Sequence, residues 1–266
     1  MKINFFKMQA QGNDYCYCDL NYNDETFITE NASEIAKKMS ERRYSVGADG
    51  LIIINRDNFC DAKITIYNSD GTRASVCGNG LRCVAYYLSK KLSARSLKIA
   101  TDAGLYDVLV YDNYVSVNMK KPEIIENQKG AFVKLKQISD VIFFDFVRAG
   151  NKHLVLYYGN KKVDNGLIDR FLSNNRGLSD EYNLEFIYKR GKEYLIRVFE
   201  RGSGETLCCG SGAVASYYSL KSKGLIADKK ASLNFRGGKV FLETIKENVY
   251  LGGEVSYLYE GVFYYD

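Results

Sequence analysis

The 266-residue sequence has no tryptophan, one proline and one histidine, and the last two scarcities narrow what the chain can be. With His153 as the only imidazole, and cysteines at 16, 18, 60, 77, 83, 208 and 209 that form no C-x-x-C pair, no four-ligand zinc pattern exists. An odd number of cysteines without a secretory leader does not read as a disulfide framework. The opening residues, Met1-Lys2-Ile3-Asn4-Phe5-Phe6-Lys7, lack the apolar core and small-residue cleavage site of a signal peptide. No apolar run approaches the ~20 residues that a membrane helix needs. A soluble, cytoplasmic protein without a membrane partner is expected. No G-x-x-x-x-G-K-[ST] stretch occurs, so no P-loop is expected either.

What is present is globular. The chain is 46% apolar and 26% charged, and its length suits one large domain or two modest ones. Its net charge of +5 is spread over short pairs such as Lys37-Lys38 and Lys90-Lys91. A nucleic-acid surface would be more basic and more clustered, so no such partner is expected.

The chain repeats itself. Residues 64–77 read ITIYNSDGTRASVC and continue GNGLRCVAYYL; residues 196–209 read IRVFERGSGETLCC and continue GSGAVASYYSL. The two align without a gap at an offset of 132, pairing Ile66 with Val198, Cys77 with Cys209, Gly78 with Gly210 and Gly80 with Gly212. Upstream, Gly12-Asn13 and Gly150-Asn151 each lead into a strand-like run. The pattern predicts an α+β protein of two pseudo-symmetric lobes, each a mixed sheet wrapped around a central helix. Residues 1–120 would form the first lobe and 121–253 the second, divided near Pro122, with the site in the cleft between them. Strands are predicted at 50–54, 63–67, 107–111, 115–119, 141–147, 154–158, 185–188, 194–199 and 239–243. Helices are predicted at 33–42, 79–91, 164–175 and 211–223, the second and fourth apolar nearly all round at their starts and therefore buried.

In each copy a Cys-Gly-x-Gly segment opens a helix. A helix N-terminus offers unpaired N–H groups and about half a positive charge. It suits a carboxylate, and its field favours a thiolate. Gly78-Asn79 and Gly210-Ser211 are thus candidates for substrate contact. Two such elements facing each other suit inversion at an amino-acid α-carbon, which needs a base on one face and an acid on the other. Cys77 and Cys209 are the candidate pair, with the helix starts stabilising the charge that develops on the α-carboxylate. Gly210-Ser211-Gly212-Ala213-Val214-Ala215 formally matches G-x-G-x-x-A. The preceding strand ends near Phe199, too far upstream for a dinucleotide fingerprint.

At these residues the sequence resembles the diaminopimelate epimerase family. The resemblance runs through Gly12-Asn13-Asp14, Gly47-Ala48-Asp49-Gly50, Asn68-Ser69-Asp70-Gly71, Cys77-Gly78-Asn79-Gly80 with Arg82-Cys83, and Gly150-Asn151 with His153. It continues through Asn183-Leu184-Glu185-Phe186 and Glu200-Arg201-Gly202-Ser203-Gly204-Glu205-Thr206 to Cys209-Gly210-Ser211-Gly212. It implies a metal-free, pyridoxal-free two-cysteine isomerase with no cofactor, a homodimer, and a chain end near 254–266 that returns to the first lobe. By position it places Asn13 and Asn151 along the site. Asn68, Asn183 and Arg201 would hold the distal carboxylate of the substrate, and Glu200 would help hold its distal ammonium.

Blander readings stand beside these. Asn68 could be a turn residue before Ser-Asp-Gly, Glu200-Arg201 a surface ion pair, His153 structural, and Cys16, Cys18, Cys60 and Cys83 packing residues. Gln9-Ala10-Gln11, Lys152 and Cys208 depart from the usual family pattern. They bear on specificity rather than chemistry. A racemase or epimerase of another polar amino acid, such as histidine or lanthionine, is the same-chemistry alternative. A non-catalytic amino-acid-binding protein is the alternative of another class.

Overall fold

The computed structural model describes residues 1–125 and 140–266. The chain divides into two compact units, one of residues 1–118 with 252–266 and one of residues 119–251. In the first, strands β1 (Lys2–Ala10) and β2 (Asn13–Asp19) form an antiparallel hairpin. Its two turn residues, Gln11 and Gly12, have φ of 50° and 79°. Positive φ at both central positions matches the right-handed twist of the flanking strands. The long helix α1 (Glu25–Ser40) follows, its first turn closed by Asp24, which accepts the Phe27 N–H at 2.9 Å. Ile28, Ala32, Ile35, Ala36 and Met39 recur at helical spacing and are buried against β3 (Gly50–Asn55) and β4 (Ala62–Asn68).

Strand β3 runs parallel to β2 and antiparallel to β4, with Ile52 opposite Ile66. The short β5 (Arg73–Ala74) leads to α2 (Gly78–Leu92), which packs on β1 and on β6 (Ser96–Thr101), β7 (Gly104–Tyr111) and β8 (Tyr114–Asn118). Every residue from Gly78 to Ala85 is buried, so α2 is a core helix surrounded by strands.

The second unit repeats the plan. After β9 (Glu123–Ile124), β10 (Phe143–Ala149) and β11 (Asn151–Tyr157) form a hairpin around Gly150, at φ 79°. Helix α3 (Asn165–Asn174) buries Leu167, Ile168 and Phe171 among Leu154, Leu156, Leu184 and Phe186. The one-turn α4 (Leu178–Glu181) precedes β12 (Asn183–Arg190), which is parallel to β11 and antiparallel to β13 (Glu193–Glu200). The short β14 (Gly204–Thr206) leads to α5 (Gly210–Ser222), buried without a break from Gly210 to Tyr217. Strands β15 (Lys230–Phe235), β16 (Gly238–Ile245) and β17 (Asn248–Glu254) complete the order. The last strand, β18 (Ser256–Tyr264), pairs antiparallel with β1, Lys2 opposite Tyr264.

Local sequence explains most of these elements, and its failures have physical causes. Helix α1 begins at Glu25 rather than near 33 because its first turns are polar and only Ile28 is buried there. Strands β1, β6, β15, β17 and β18 were not expected. In β18, Tyr257, Leu258, Tyr259, Val262 and Tyr264 remain exposed, so burial imposes no alternation of apolar and polar residues. None of the described helices is long and apolar enough to cross a membrane.

Because Asp24 is the side-chain cap of α1, Asp24→Ala is expected to destabilise the fold by about 1 kcal/mol in urea denaturation, with the two-unit plan unchanged.

Candidate active site

Both predicted thiols sit at the same structural point. Cys77 is the N-cap residue of α2, in extended backbone conformation, and its Sγ accepts the Gly80 N–H at 3.4 Å. Cys209 is the N-cap of α5, also extended, and its Sγ accepts the Gly212 N–H at 3.4 Å. Each sulfur therefore satisfies one orphan amide of the first turn, a role usually filled by serine, threonine or aspartate.

The glycines that follow have a reason beyond access for a ligand. A Cβ on Gly80 would come 2.5 Å from Ile52 Cδ1, and a Cβ on Gly212 would come 2.5 Å from Glu185 Oε1. In both units the helix start is seated directly on a strand side chain, whose tip would have to shift to admit a Cβ.

Around Cys77 the polar groups form an oriented string. Asn13 Nδ2 donates to Asp49 at 2.7 Å, which turns Asn13 Oδ1 toward Cys77 Sγ, 3.5 Å away. Asn79 Nδ2 donates to the same Asn13 oxygen at 3.3 Å, and Asn79 Oδ1 accepts from the fully buried Arg82 at 2.9 Å. Each amide is fixed by its neighbour, so Asn13 cannot flip without breaking two bonds. Asp49 also accepts the Asp14 N–H, and Arg42 bridges Asp14 and Asp49. Beneath them the nearly buried Lys7 pairs with Asp14 at 2.8 Å. Asp49, Asp14, Arg42 and Lys7 were not expected as supports, although Gly-Ala-Asp-Gly had been noted as a motif.

Cys209 has different company. Its neighbours are Ser211 Oγ at 3.5 Å and the Glu200 carboxyl, to which the Cys209 thiol and the Thr206 hydroxyl donate. Burial, then the Glu200 and Glu185 carboxylates, push the Cys209 thiol well above the usual range. The Ser211 hydroxyl and the Gly212 N–H pull it the other way without overcoming them. Burial also raises the Glu200 carboxyl, crowded by protein atoms although the residue keeps some exposed surface. His153 and Glu185 are both completely buried and meet at 2.7 Å. Glu185 was missed; its signal is an acid in the otherwise apolar run Leu184-Glu185-Phe186-Ile187.

The remaining candidates are distributed as follows. Asn68 ends β4 in a turn, Gly71 N–H to Asn68 O, with its own Nδ2 donating to Thr72 Oγ1 at 3.1 Å. Asn183 is buried, and its Oδ1 accepts the backbone N–H of the exposed Arg201 at 2.8 Å. Glu200 bonds Thr206 and Cys209, and no ion pair with Arg201 occurs among the described residues. Asn151 opens β11, as Asn13 opens β2. Burial pushes Cys16 and Cys83 up to about 12, which leaves them inert as packing thiols. A solvent-open cavity of about 630 Å³ in the second unit is lined by Lys162, Arg197, Glu205 and Arg236 and contains neither candidate thiol. Within it Glu205 takes Arg197 at 2.7 Å and Arg236 at 3.0 Å.

The diaminopimelate epimerase family profile matches residues 5–125 and 146–258. The diaminopimelate epimerase of Brachyspira hyodysenteriae is 33% identical over 284 aligned residues, 98% of this chain and 99% of that one. This chain belongs to the diaminopimelate epimerase family. The diaminopimelate epimerase of Acetivibrio thermocellus is 32% identical over 280 aligned residues, covering 97% and 98% of the two chains. A phenazine biosynthesis protein of the PhzF family from Bacillus anthracis superposes over 100% of both chains with a TM-score of 0.72. At 16% identity it speaks for a shared fold alone. Family membership makes the chain an isomerase.

The support beneath Asn13 has a pH signature. Burial tends to raise the Asp14 carboxyl, but Arg42 and Lys7 outweigh it and hold it below 3.8. The stability it contributes is full well above that value and is lost as pH falls below it. Asp14→Asn is expected to lose this acid-sensitive increment and to cost about 3–5 kcal/mol at neutral pH, because Lys7 is left buried without its counter-charge. Urea denaturation at neutral and acid pH checks both points.

Proposed function

We propose that this chain interconverts LL- and meso-diaminopimelate, with Cys77 and Cys209 as a thiolate and thiol on opposite faces of the reacting α-carbon. The carrying observation is the equivalence of the two sulfurs. Each caps a buried helix in a repeated unit and accepts the same i+3 amide, within a chain of this family. One thiolate takes the Cα proton while the other thiol delivers a proton to the far face. Between the two steps, negative charge flows onto the α-carboxylate. The first-turn amides at Gly78-Asn79 and Gly210-Ser211 suit that charge because their N–H groups and helix fields are already oriented. Asn13 and Asn151 line the same site in this reading. In this reading the active form is a homodimer in the cytoplasm.

The distal end of the substrate follows from which amide atoms are already used. Asn183 spends its Oδ1 on the Arg201 N–H and so offers Nδ2, a donor suited to a carboxylate. Arg201 adds a guanidinium. Asn68 spends one Nδ2 hydrogen on Thr72 and keeps a second N–H, a further donor for the same carboxylate. Glu200 supplies negative charge for the distal ammonium. A distal group that carries both charges is what separates diaminopimelate from shorter amino acids.

Reduced protein is to be incubated in D₂O with LL-diaminopimelate, and separately with L-histidine and other L-amino acids, without added cofactor. Deuterium at Cα and the second stereoisomer are followed by NMR and chiral chromatography. Exchange on diaminopimelate is expected. Cys77→Ser or Cys209→Ser should slow it by about 10²–10⁴-fold, the usual contribution of a positioned acid or base. Exchange confined to another amino acid would overturn the substrate and keep the mechanism. No exchange on any of them would point to a binding protein. Two thiols flanking one carbon can also oxidise together, so activity is expected to require a reductant.

A further inference from the structure

The two units share a plan, but the residue beneath each helix start differs in kind. Ile66 and Val198 are equivalent in the sequence repeat. On the neighbouring strands Ile52 lies opposite Ile66, and Glu185 lies opposite Val198. Ile52 and Glu185 are therefore equivalent positions, a conclusion the glycine contacts reach independently: Ile52 sits under Gly80 and Glu185 under Gly212, each at 2.5 Å from the missing Cβ. One strand further, Tyr15 pairs with Gly50 and His153 pairs with Asn183, so Tyr15 and His153 are equivalent too. Where the first unit has isoleucine and tyrosine, the second has a carboxylate and an imidazole.

An aliphatic side chain packs at that place without cost, as Ile52 demonstrates. A fully buried carboxylate is expensive unless it is paired and hydrogen-bonded. Glu185 is only half satisfied: Oε1 meets His153 Nδ1 at 2.7 Å, while Glu185 Oε2 and His153 Nε2 have no hydrogen-bond partner among the described residues. The local chain gains no stability from this substitution that isoleucine would not supply better. Its effect falls on what lies above it, the first turn of α5 and the sulfur that caps that turn.

We infer that Glu185 is a positioning residue that makes the two capping thiols chemically unequal, orienting His153 and holding Cys209 as the protonated member of the pair. This rests on the two-thiol reading proposed above. The bond to Glu185 places the imidazole proton on Nδ1. The negative charge beneath Gly212 opposes formation of a second negative charge on Cys209 Sγ. The groups that face this sulfur come from three elements. Glu200 on β13 and Glu185 on β12 disfavour a thiolate, and Ser211 Oγ and the Gly212 N–H on α5 favour it. His153 on β11 acts on Glu200 in the opposite sense to Glu185. The first unit has no carboxylate at the equivalent place, because Ile52 fills it. In the direction in which Cys209 is the acid, its S–H proton passes to the α-carbanion, and the sulfur is left as the thiolate that takes it back on reversal.

The test reads the thiols separately and needs no turnover. Iodoacetamide labelling of reduced protein is followed from pH 6 to pH 10, with mass spectrometry of the peptides that carry Cys77 and Cys209. The readout is the pH of half-maximal rate, because limited access to a buried sulfur scales its rate alike at every pH. Glu185→Gln keeps an acceptor for His153 Nδ1 and removes the charge. It is expected to lower the half-point of Cys209 by about one pH unit, tenfold in thiolate at a given pH, and to leave that of Cys77 in place. A folded Glu185→Gln protein with an unmoved Cys209 half-point overturns the inference. A shift of both thiols together, which a general loosening of the fold would give, overturns it too. Should Glu185→Gln fail to fold, the wild-type protein decides: Cys209 must titrate above Cys77, and the reverse order or coincidence refutes the assignment. Failure of the two-thiol reading would show elsewhere, as deuterium exchange that survives Cys77→Ser and Cys209→Ser.

Discussion

A helix that begins in a protein core brings with it amides that no carbonyl of its own can satisfy. In this chain that requirement is met twice by a cysteine sulfur, and much of the local structure is arranged so that it can be. The cap residue must be extended, so a strand or loop has to deliver the chain at the right angle. The third helical position is glycine, and a side chain there would displace the tip of the strand residue beneath it. The strand must be held by neighbours, which the parallel pairing to the first hairpin of each unit provides. Cysteine, glycine and the underlying strand form one device, and its duplication is what the internal repeat encodes.

Duplication of the device does not duplicate its electrostatics. Beside Cys77 stand amides tied in sequence from Asp49 through Asn13 and Asn79 to Arg82. Charge stands at the ends of this string, in Asp49 and Arg82, and in the Asp14, Arg42 and Lys7 cluster that braces the hairpin turn. Beside Cys209 the carboxylates of Glu200 and Glu185 stand close to the sulfur, within a core that excludes water. With Glu185 in the role inferred for it, two groups of identical intrinsic acidity have different tendencies to hold a proton. Such a difference suits a reaction in which one must begin as the base and the other as the acid.

Family membership and geometry contribute different things to the functional reading. Relatives at about one-third identity over nearly the whole chain establish the family. The structure adds which amide atoms carry bonds within the protein, as at Asn68 Nδ2 and Asn183 Oδ1. That distinction concerns the orientation of a planar group, and no residue identity carries it.

The strands and helices with strong apolar periodicity were legible in the sequence: 50–54, 63–67 and 194–199 lie inside β3, β4 and β13, and 79–91 and 211–223 overlie the two core helices. The equivalence of Cys77 and Cys209 was legible as well, because a gapless repeat preserves register and register fixes which residue caps the helix. Strand β18 was not, because its partner β1 lies at the other end of the chain. Neither was the pairing of His153 with Glu185, or of Asn13 with Asp49, since each joins residues more than thirty positions apart. The sequence by itself determined the repeat, the helix starts and the two thiols, all of which depend on local order along the chain. Only the tertiary structure decided their surroundings, because burial and the approach of distant charges are properties of the folded chain alone.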